Sequence, residues 1–290
     1  MTVLGVLHPG SMGASLAACA RANGVRVLWA SAGRSEATHR RAREEGLEHA
    51  GTLAALAAQS DIILSICPPH AAEALAREVL AAGFKGLFCD ANAIAPETAR
   101  RIARSVEDAG ASFADGGVVG PPARSPGQTR LYLSGAHAAE MAALFAGSYA
   151  EPVTLDGGAG AASALKMCYA AWTKGRTALL LSVRALARAD HVDEALMAEW
   201  ARSLPGLQAD SEAAAARVAA KAWRWIGEME QIADSFAADG LPDGFHRAAA
   251  ELYATMQGFK SEEPDFQSVM DAILDAAKPN ATSGDERNSR

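Results

Sequence analysis

The chain has 290 residues, half of them hydrophobic, and 34 Asp and Glu against 27 Lys and Arg give it a net charge of −7. That length holds two modest domains or one large one, and the acidic balance excludes a general nucleic-acid binder, which needs basic residues to neutralise phosphates. Cys19, Cys67, Cys89 and Cys168 stand far apart in apolar stretches, a pattern with neither metal-ligand pairing nor a disulfide framework, so no metal site is expected. The N-terminus lacks the basic region of a signal peptide and the apolar runs are short or broken by charge, so a soluble, cytoplasmic protein without a membrane span is expected.

In chain order, Thr2-Val3-Leu4-Gly5-Val6-Leu7 reads as a strand that breaks into His8-Pro9-Gly10-Ser11-Met12-Gly13, and residues 14–21 follow as an apolar helix. Strands are predicted at 25–30, 61–67, 86–90, 113–119, 131–134 and 152–155, with helices at 34–45, 70–82, 96–108 and 136–147. Such alternation is the pattern of a mostly parallel sheet covered on both faces. From residue 159 onward only helical segments remain, broken at Pro205-Gly206, between Gly240 and Gly244, and near Pro264. The expectation is an α/β Rossmann-type domain over 1–157, followed by an all-α domain over 158–278. The polar, aperiodic tail 279–290 reads as disordered.

Strand, glycine turn and helix in that order form a phosphate-binding corner, where helix N–H groups and close backbone approach receive a pyrophosphate. His8 stands where the first glycine of G-x-G-x-x-G belongs. The end of the second strand, Ala30-Ser31-Ala32-Gly33-Arg34-Ser35, lacks the acid that would grip the ribose 2′-hydroxyl of NAD. Ser31, Arg34 and Ser35 suit a 2′-phosphate instead, so NADP is favoured and NAD remains possible. Arg34 also reads as an ordinary surface residue at a helix start. Cys67-Pro68-Pro69 and Asn92 end the next strands, where the carboxyl ends of a doubly wound sheet line the ligand crevice. Asn92 reads equally as a cofactor or substrate contact and as a turn former.

The order of Gly10-Ser11-Met12-Gly13, Cys67-Pro68-Pro69, Asp90-x-Asn92-x-x-x-Pro96 and Asp115-Gly116-Gly117-Val118-Val119-Gly120 resembles the β-hydroxyacid dehydrogenase superfamily. That group includes 6-phosphogluconate dehydrogenases, 3-hydroxyisobutyrate dehydrogenases and imine reductases. Lys166-Met167-Cys168-Tyr169, Thr173-Lys174-Gly175, the run Arg224 to Glu230 and Gly244-Phe245-His246 resemble its branch with a C-terminal domain of unknown function. The resemblance implies a hydride transfer between nicotinamide and a secondary alcohol or ketone, in a groove between two domains. It also implies a homodimer through the helical domain.

Lys166 lies in a stretch apolar almost all round, which reads as a buried helix, and lysine is rarely buried without a partner. Desolvation there would lower its pKa towards the working range of a general acid or base. The superfamily carries such a lysine as proton donor or acceptor, and the resemblance gives Lys166 that role; a snorkelling lysine at a domain seam is the other reading. Val119, Gly120, Thr173 and Arg224 are candidate substrate contacts. Two departures set this chain apart: Ala170 stands where relatives have Asn one turn after the lysine, and Val119-Gly120-Pro121-Pro122 replaces their Ser-Gly-Gly, removing a hydroxyl and two N–H donors. Arg124 offers an alternative anion contact or is a solvated loop residue. Val218, Ala222, Trp225, Met229, Ile232 and Phe236 are spaced as a core or dimer seam, and Glu228 is placed to pair with Arg224. Lys174 reads as structural and His246 as a weak candidate. An imine reductase and a non-catalytic NADP-binding sensor are the alternative functions.

Overall fold

A computed structural model describes residues 1–260, 262 and 264–277; the tail 279–290 lies outside them. Two compact units emerge, one of Met1–Ala170 with Asp234–Leu241, the other of Ala171–Ala233 with the described residues from Pro242 onward.

The first unit begins with β1 (Val3–Val6), α1 (Ser11–Ala22), β2 (Arg26–Trp29), α2 (Glu36–Glu44), β3 (Glu48–His49), α3 (Leu53–Gln59), β4 (Ile62–Ser65) and α4 (Ala72–Ala81). It continues with β5 (Leu87–Asp90), α5 (Pro96–Asp108), β6 (Ser112–Val119), β7 (Thr129–Ser134), α6 (Ala138–Ala143) and β8 (Ala150–Thr154). The eight strands lie in the order β3-β2-β1-β4-β5-β6-β7-β8. All neighbours pair parallel except β6 with β7. Strand order reverses between β1 and β4, so their carboxyl ends open the crevice in which doubly wound sheets bind ligands.

Alternation along the strands supplies two cores. Leu4, Val6, Leu64 and Cys89 face one layer with Leu16, Ala20, Met141 and Phe145. Ile63, Phe88 and Phe113 face the other with Leu56, Leu75, Val79 and Ile102. Each fully buried side chain of this size contributes about 1.5–3 kcal/mol, which is why short strands of four residues suffice. The fold is the α/β Rossmann-type domain followed by helices that the sequence predicts. It differs in detail at residues 46–60, where β3 and α3 replace an expected connection. Thr52 caps α3, accepting from the Ala55 N–H at 3.1 Å.

The helices that follow are α7 (Ala161–Ala189), α8 (Asp193–Ser203), α9 (Leu207–Ala219), α10 (Ala222–Ala238), α11 (Gly244–Ala254) and α12 (Phe266–Ala277). Val218, Ala222, Met229 and Ile232 are buried within the chain, so the predicted apolar stripe is a core, though the end of α9 interrupts it. Arg184 is buried yet paired, donating to Asp193 at 2.9 and 3.2 Å and to Ser211 at 2.6 Å, with the Phe266 ring 4.5 Å away. Helix α7 departs from the expected all-buried character: Trp172, Leu179 and Leu186 are 67%, 52% and 63% exposed.

Candidate functional site

The turn from β1 to α1 is shaped by two glycines in different ways. A Cβ on Gly13 would run into the His8 carbonyl, so glycine is what lets α1 pack against the strand. A Cβ on Gly10 would meet nothing, and α1 begins there without a side-chain cap. Its first turn, Ser11-Met12-Gly13, therefore presents backbone N–H groups and the positive end of the helix dipole to an anion. His8 is half-buried, its Nδ1 has no hydrogen-bond partner among the described residues, and burial with the nearby Arg34 charge pulls its pKa down to about 4. It is neutral at physiological pH. Pro9 is buried beneath the turn.

Arg34 reaches back over the ends of β2 and β1, donating to the Ala30 carbonyl at 3.4 Å and the Leu7 carbonyl at 3.5 Å. Ser35 caps α2, accepting from the Thr38 N–H at 3.4 Å. Ser31 is half-buried and its N–H donates to the Gly51 carbonyl at 2.9 Å. One cation near this turn escaped the sequence reading: Arg41 donates to the Pro9 carbonyl at 3.2 Å and to Thr38 Oγ1 at 3.0 Å. Its available signal was its place on α2, one turn after Thr38. Arg34 and Arg41 thus both hold backbone carbonyls of the turn out of β1, at Leu7 and at Pro9.

Asn92 is 2% exposed and ties the ends of β4 and β5 together. Its Oδ1 accepts from the Cys67 N–H at 2.5 Å, and its Nδ2 donates to Asp90 Oδ2 at 2.8 Å and Ser65 Oγ at 3.1 Å. Both amide hydrogens are committed, so Asn92 shapes the crevice lip and offers a ligand only its second oxygen lone pair. Burial pushes the Asp90 carboxyl up to about 7 and the Cys67 thiol up to about 12. Cys67 is no nucleophile there. Pro68 and Pro69 open a short 3₁₀ turn into α4.

The start of α7 is fixed by a buried carboxylate. Asp115 on β6 accepts from the Gly160 N–H at 2.9 Å, the Ser163 N–H at 3.0 Å, the Ser163 hydroxyl at 2.6 Å and the Ser134 hydroxyl at 3.0 Å. Ser134 in turn accepts from the Ala162 N–H at 3.0 Å. Gly117 completes the seat, since a Cβ there would come within 2.7 Å of the Ala162 carbonyl and 3.1 Å of Lys166 Cβ. A charged residue inside an otherwise apolar strand was the sequence signal for Asp115. Lys166 follows on this anchored turn, half-buried and without an ion-pair partner among the described residues. Burial alone pulls its ammonium down to about 8.

The loop after β6 has few free donors. Val119 is buried, Gly120 is held at φ +116, and the Pro121 carbonyl accepts from Thr129 at 2.7 Å. The Ala123 N–H donates to Ser15 Oγ at 3.0 Å. Arg124 pairs with Glu45 at 2.9 Å, which makes it a loop anchor. In the helical unit, Glu228 pairs with Lys174 and not with Arg224, because Lys174 lies beside the Trp225 ring at 5.4 Å while the exposed Arg224 stacks over Trp223 at 4.8 Å. The Tyr253 hydroxyl donates to the Lys174 carbonyl at 2.7 Å, so this cluster holds α7, α10 and α11 together. Thr173 is half-buried on α7 in the same unit, and His246 is buried.

Comparison with known proteins bears on the family and the fold. The NAD binding domain of 6-phosphogluconate dehydrogenase matches residues 3–145, and a domain of unknown function, DUF1932, matches residues 187–256. An uncharacterised 28.5 kDa protein of Methanothermus fervidus is 29% identical over 164 residues, which span 56% of this chain and 62% of that protein. A crystal structure of a conserved hypothetical protein of Sinorhizobium meliloti has a TM-score of 0.69 at 23% identity, covering 95% of this chain and 96% of that one. A 3-hydroxyisobutyrate dehydrogenase of Mycobacterium tuberculosis, solved with L-serine, has a TM-score of 0.71 at 19% identity, covering 94% and 99%. The chain thus carries the NAD binding domain of 6-phosphogluconate dehydrogenase followed by DUF1932, on a fold like that of the hydroxyacid dehydrogenases.

Proposed function

We propose that this chain is an NADP-dependent oxidoreductase that interconverts a secondary alcohol and a ketone, with Lys166 as general acid and base. The observation that carries the reading is Lys166 itself: an ammonium brought down to about 8 by burial, without an ion-pair partner among the described residues, on a helix turn held by Asp115. A group titrating near physiological pH both gives and takes a proton efficiently. In reduction the ammonium donates its proton to the carbonyl oxygen; in oxidation the neutral amine accepts the hydroxyl proton. When bound, the nicotinamide supplies or receives the hydride.

The residues present fit the dinucleotide. The uncapped first turn of α1 and the open side of Gly10 suit the pyrophosphate, and Arg34, with Arg41 across the turn, suits a 2′-phosphate that a carboxylate would repel. The loop after β6 favours a substrate without a small carboxylate clamped there, since its prolines lack N–H groups and Ala123 spends its own on Ser15. The reading is tested by titrating NADPH and NADH onto the protein and assaying a panel of ketones, aldehydes and imines. Tight NADPH binding with reduction of at least one ketone is expected. Binding with no turnover across the panel would favour a sensor, and turnover of imines alone would favour an imine reductase.

A further inference from the structure

Asp90 and Asp115 are register partners on β5 and β6, both buried, yet their carboxylates are committed differently. Asp115 takes N–H and hydroxyl donors from Gly160, Ser163 and Ser134. Asp90 takes two donors and both come from Asn92, the backbone N–H at 3.0 Å and Nδ2 at 2.8 Å. No cation pairs with it among the described residues. The titratable groups around it are Asp115 on β6, Cys67 after β4 and Cys89 on its own strand, and burial keeps both thiols protonated. A carboxylate buried without a cation is costly, and here the whole of it bears on one amide.

That amide has one satisfactory orientation. With Nδ2 towards Asp90 and Ser65, its Oδ1 is left to accept from the Cys67 N–H. Turned over, it would set oxygen against carboxylate and Nδ2 against the Cys67 N–H, two mismatches at once. Pro68 and Pro69 have no N–H of their own, so the bond from Cys67 ties the Cys67-Pro68-Pro69 segment to the end of β5. β4 lies beside β1 in parallel, so this segment leaves the sheet at the same end as the His8-Pro9-Gly10 turn.

We infer that Asp90 is a positioning residue of the cofactor site: through Asn92 it holds the Cys67-Pro68-Pro69 segment as the wall of the crevice beside the first turn of α1. This role rests on the reading of that turn as the dinucleotide site. The carboxylate is the form that performs it, since protonation turns one of its acceptors into a donor facing the two donors of Asn92. Burial raises the Asp90 carboxyl to about 7 against the opposing Asn92 bonds, so the wall is set above that pH and loosened below it.

The test is calorimetric titration of NADP onto the wild type, Asp90→Asn, Asn92→Ala and the double variant, above and below a pH of about 7. Hydrogen exchange of the peptide containing Cys67, without ligand and above that pH, accompanies it. The wild type is expected to bind more weakly as pH falls through that value. Asp90→Asn, isosteric and fixed in the neutral state, is expected to bind about tenfold more weakly above it. It should also lack the wild-type pH step, apart from the titration of the ligand's own phosphate that both share. Asn92→Ala should weaken binding at least as much, and the double variant should match Asn92→Ala within about twofold, because Asp90 acts through that amide. Exchange at Cys67 should be faster in Asp90→Asn than in the wild type. Affinity or Cys67 exchange in Asp90→Asn equal to the wild type would overturn the inference, as would losses that multiply in the double variant. A wild type that binds no dinucleotide would overturn the cofactor reading itself, and this role with it.

Discussion

Helices α1 and α7 begin in opposite ways, and the contrast separates binding from positioning. α1 starts at a bare Gly10 with no side-chain cap. α7 starts under a buried carboxylate and a buried hydroxyl that take the N–H groups of Gly160, Ala162 and Ser163. Unsatisfied helix N–H groups in water cost little and attract an anion; the same groups buried must be paired inside the protein. The first helix thus leaves its terminus open, as the proposed cofactor site requires. The second has its terminus tied to Asp115 of β6, which fixes the turn of α7 that carries Lys166.

Substitutions that exchange these two designs should have unlike consequences. Asp115→Ala leaves buried donors at the start of α7 without an acceptor, a loss on the order of 3–5 kcal/mol. A lowered urea midpoint would report it, and a midpoint within experimental error of wild type would break the contrast. Gly13→Ala drives a methyl group into the His8 carbonyl and should destabilise by about 1–3 kcal/mol whether or not cofactor is present. Gly10→Ala adds its methyl to open space. It should leave stability within about 0.5 kcal/mol while weakening NADPH binding roughly tenfold, about 1.4 kcal/mol. Calorimetric titration that found Gly10→Ala binding NADPH like the wild type would remove α1 from the cofactor site.

Titration of Lys166 sharpens the same comparison. Its folded pKa of about 8 lies below the ordinary 10.5, so the unfolded chain binds more protons between those values and stability should rise with pH across that window. In catalysis the ammonium is the acid, so ketone reduction should fall as pH passes through about 8, while alcohol oxidation rises there. A rate flat in both directions would count against proton transfer by this group.

The strands of the nucleotide-binding unit were legible because parallel strands covered on both faces are continuous β-branched and aliphatic runs bounded by turn residues, as at Ile62–Ser65. The two-residue β3 and the seven-residue α3 were not, since Glu48-His49 has no alternation and Leu53–Gln59 is mostly alanine, which blurs the helical period. The partial burial of Lys166 was legible from its apolar neighbours, yet those same neighbours suggested a helix buried all round. Periodicity marks which residues are apolar, not which of them the fold covers. The partners of Glu228 and Arg124 were also out of reach. Glu228 prefers Lys174 to Arg224, and Arg124 meets Glu45, through tertiary contacts between residues distant in sequence.

The most direct test compares the wild type and Lys166→Met for NADPH binding and for turnover of whichever ketone the wild type reduces best. NADPH affinity within about twofold of wild type, together with a loss of turnover of about 10²–10⁴-fold, is the expected result. Turnover in Lys166→Met equal to the wild type, with NADPH still bound, would contradict the assignment of proton transfer to Lys166.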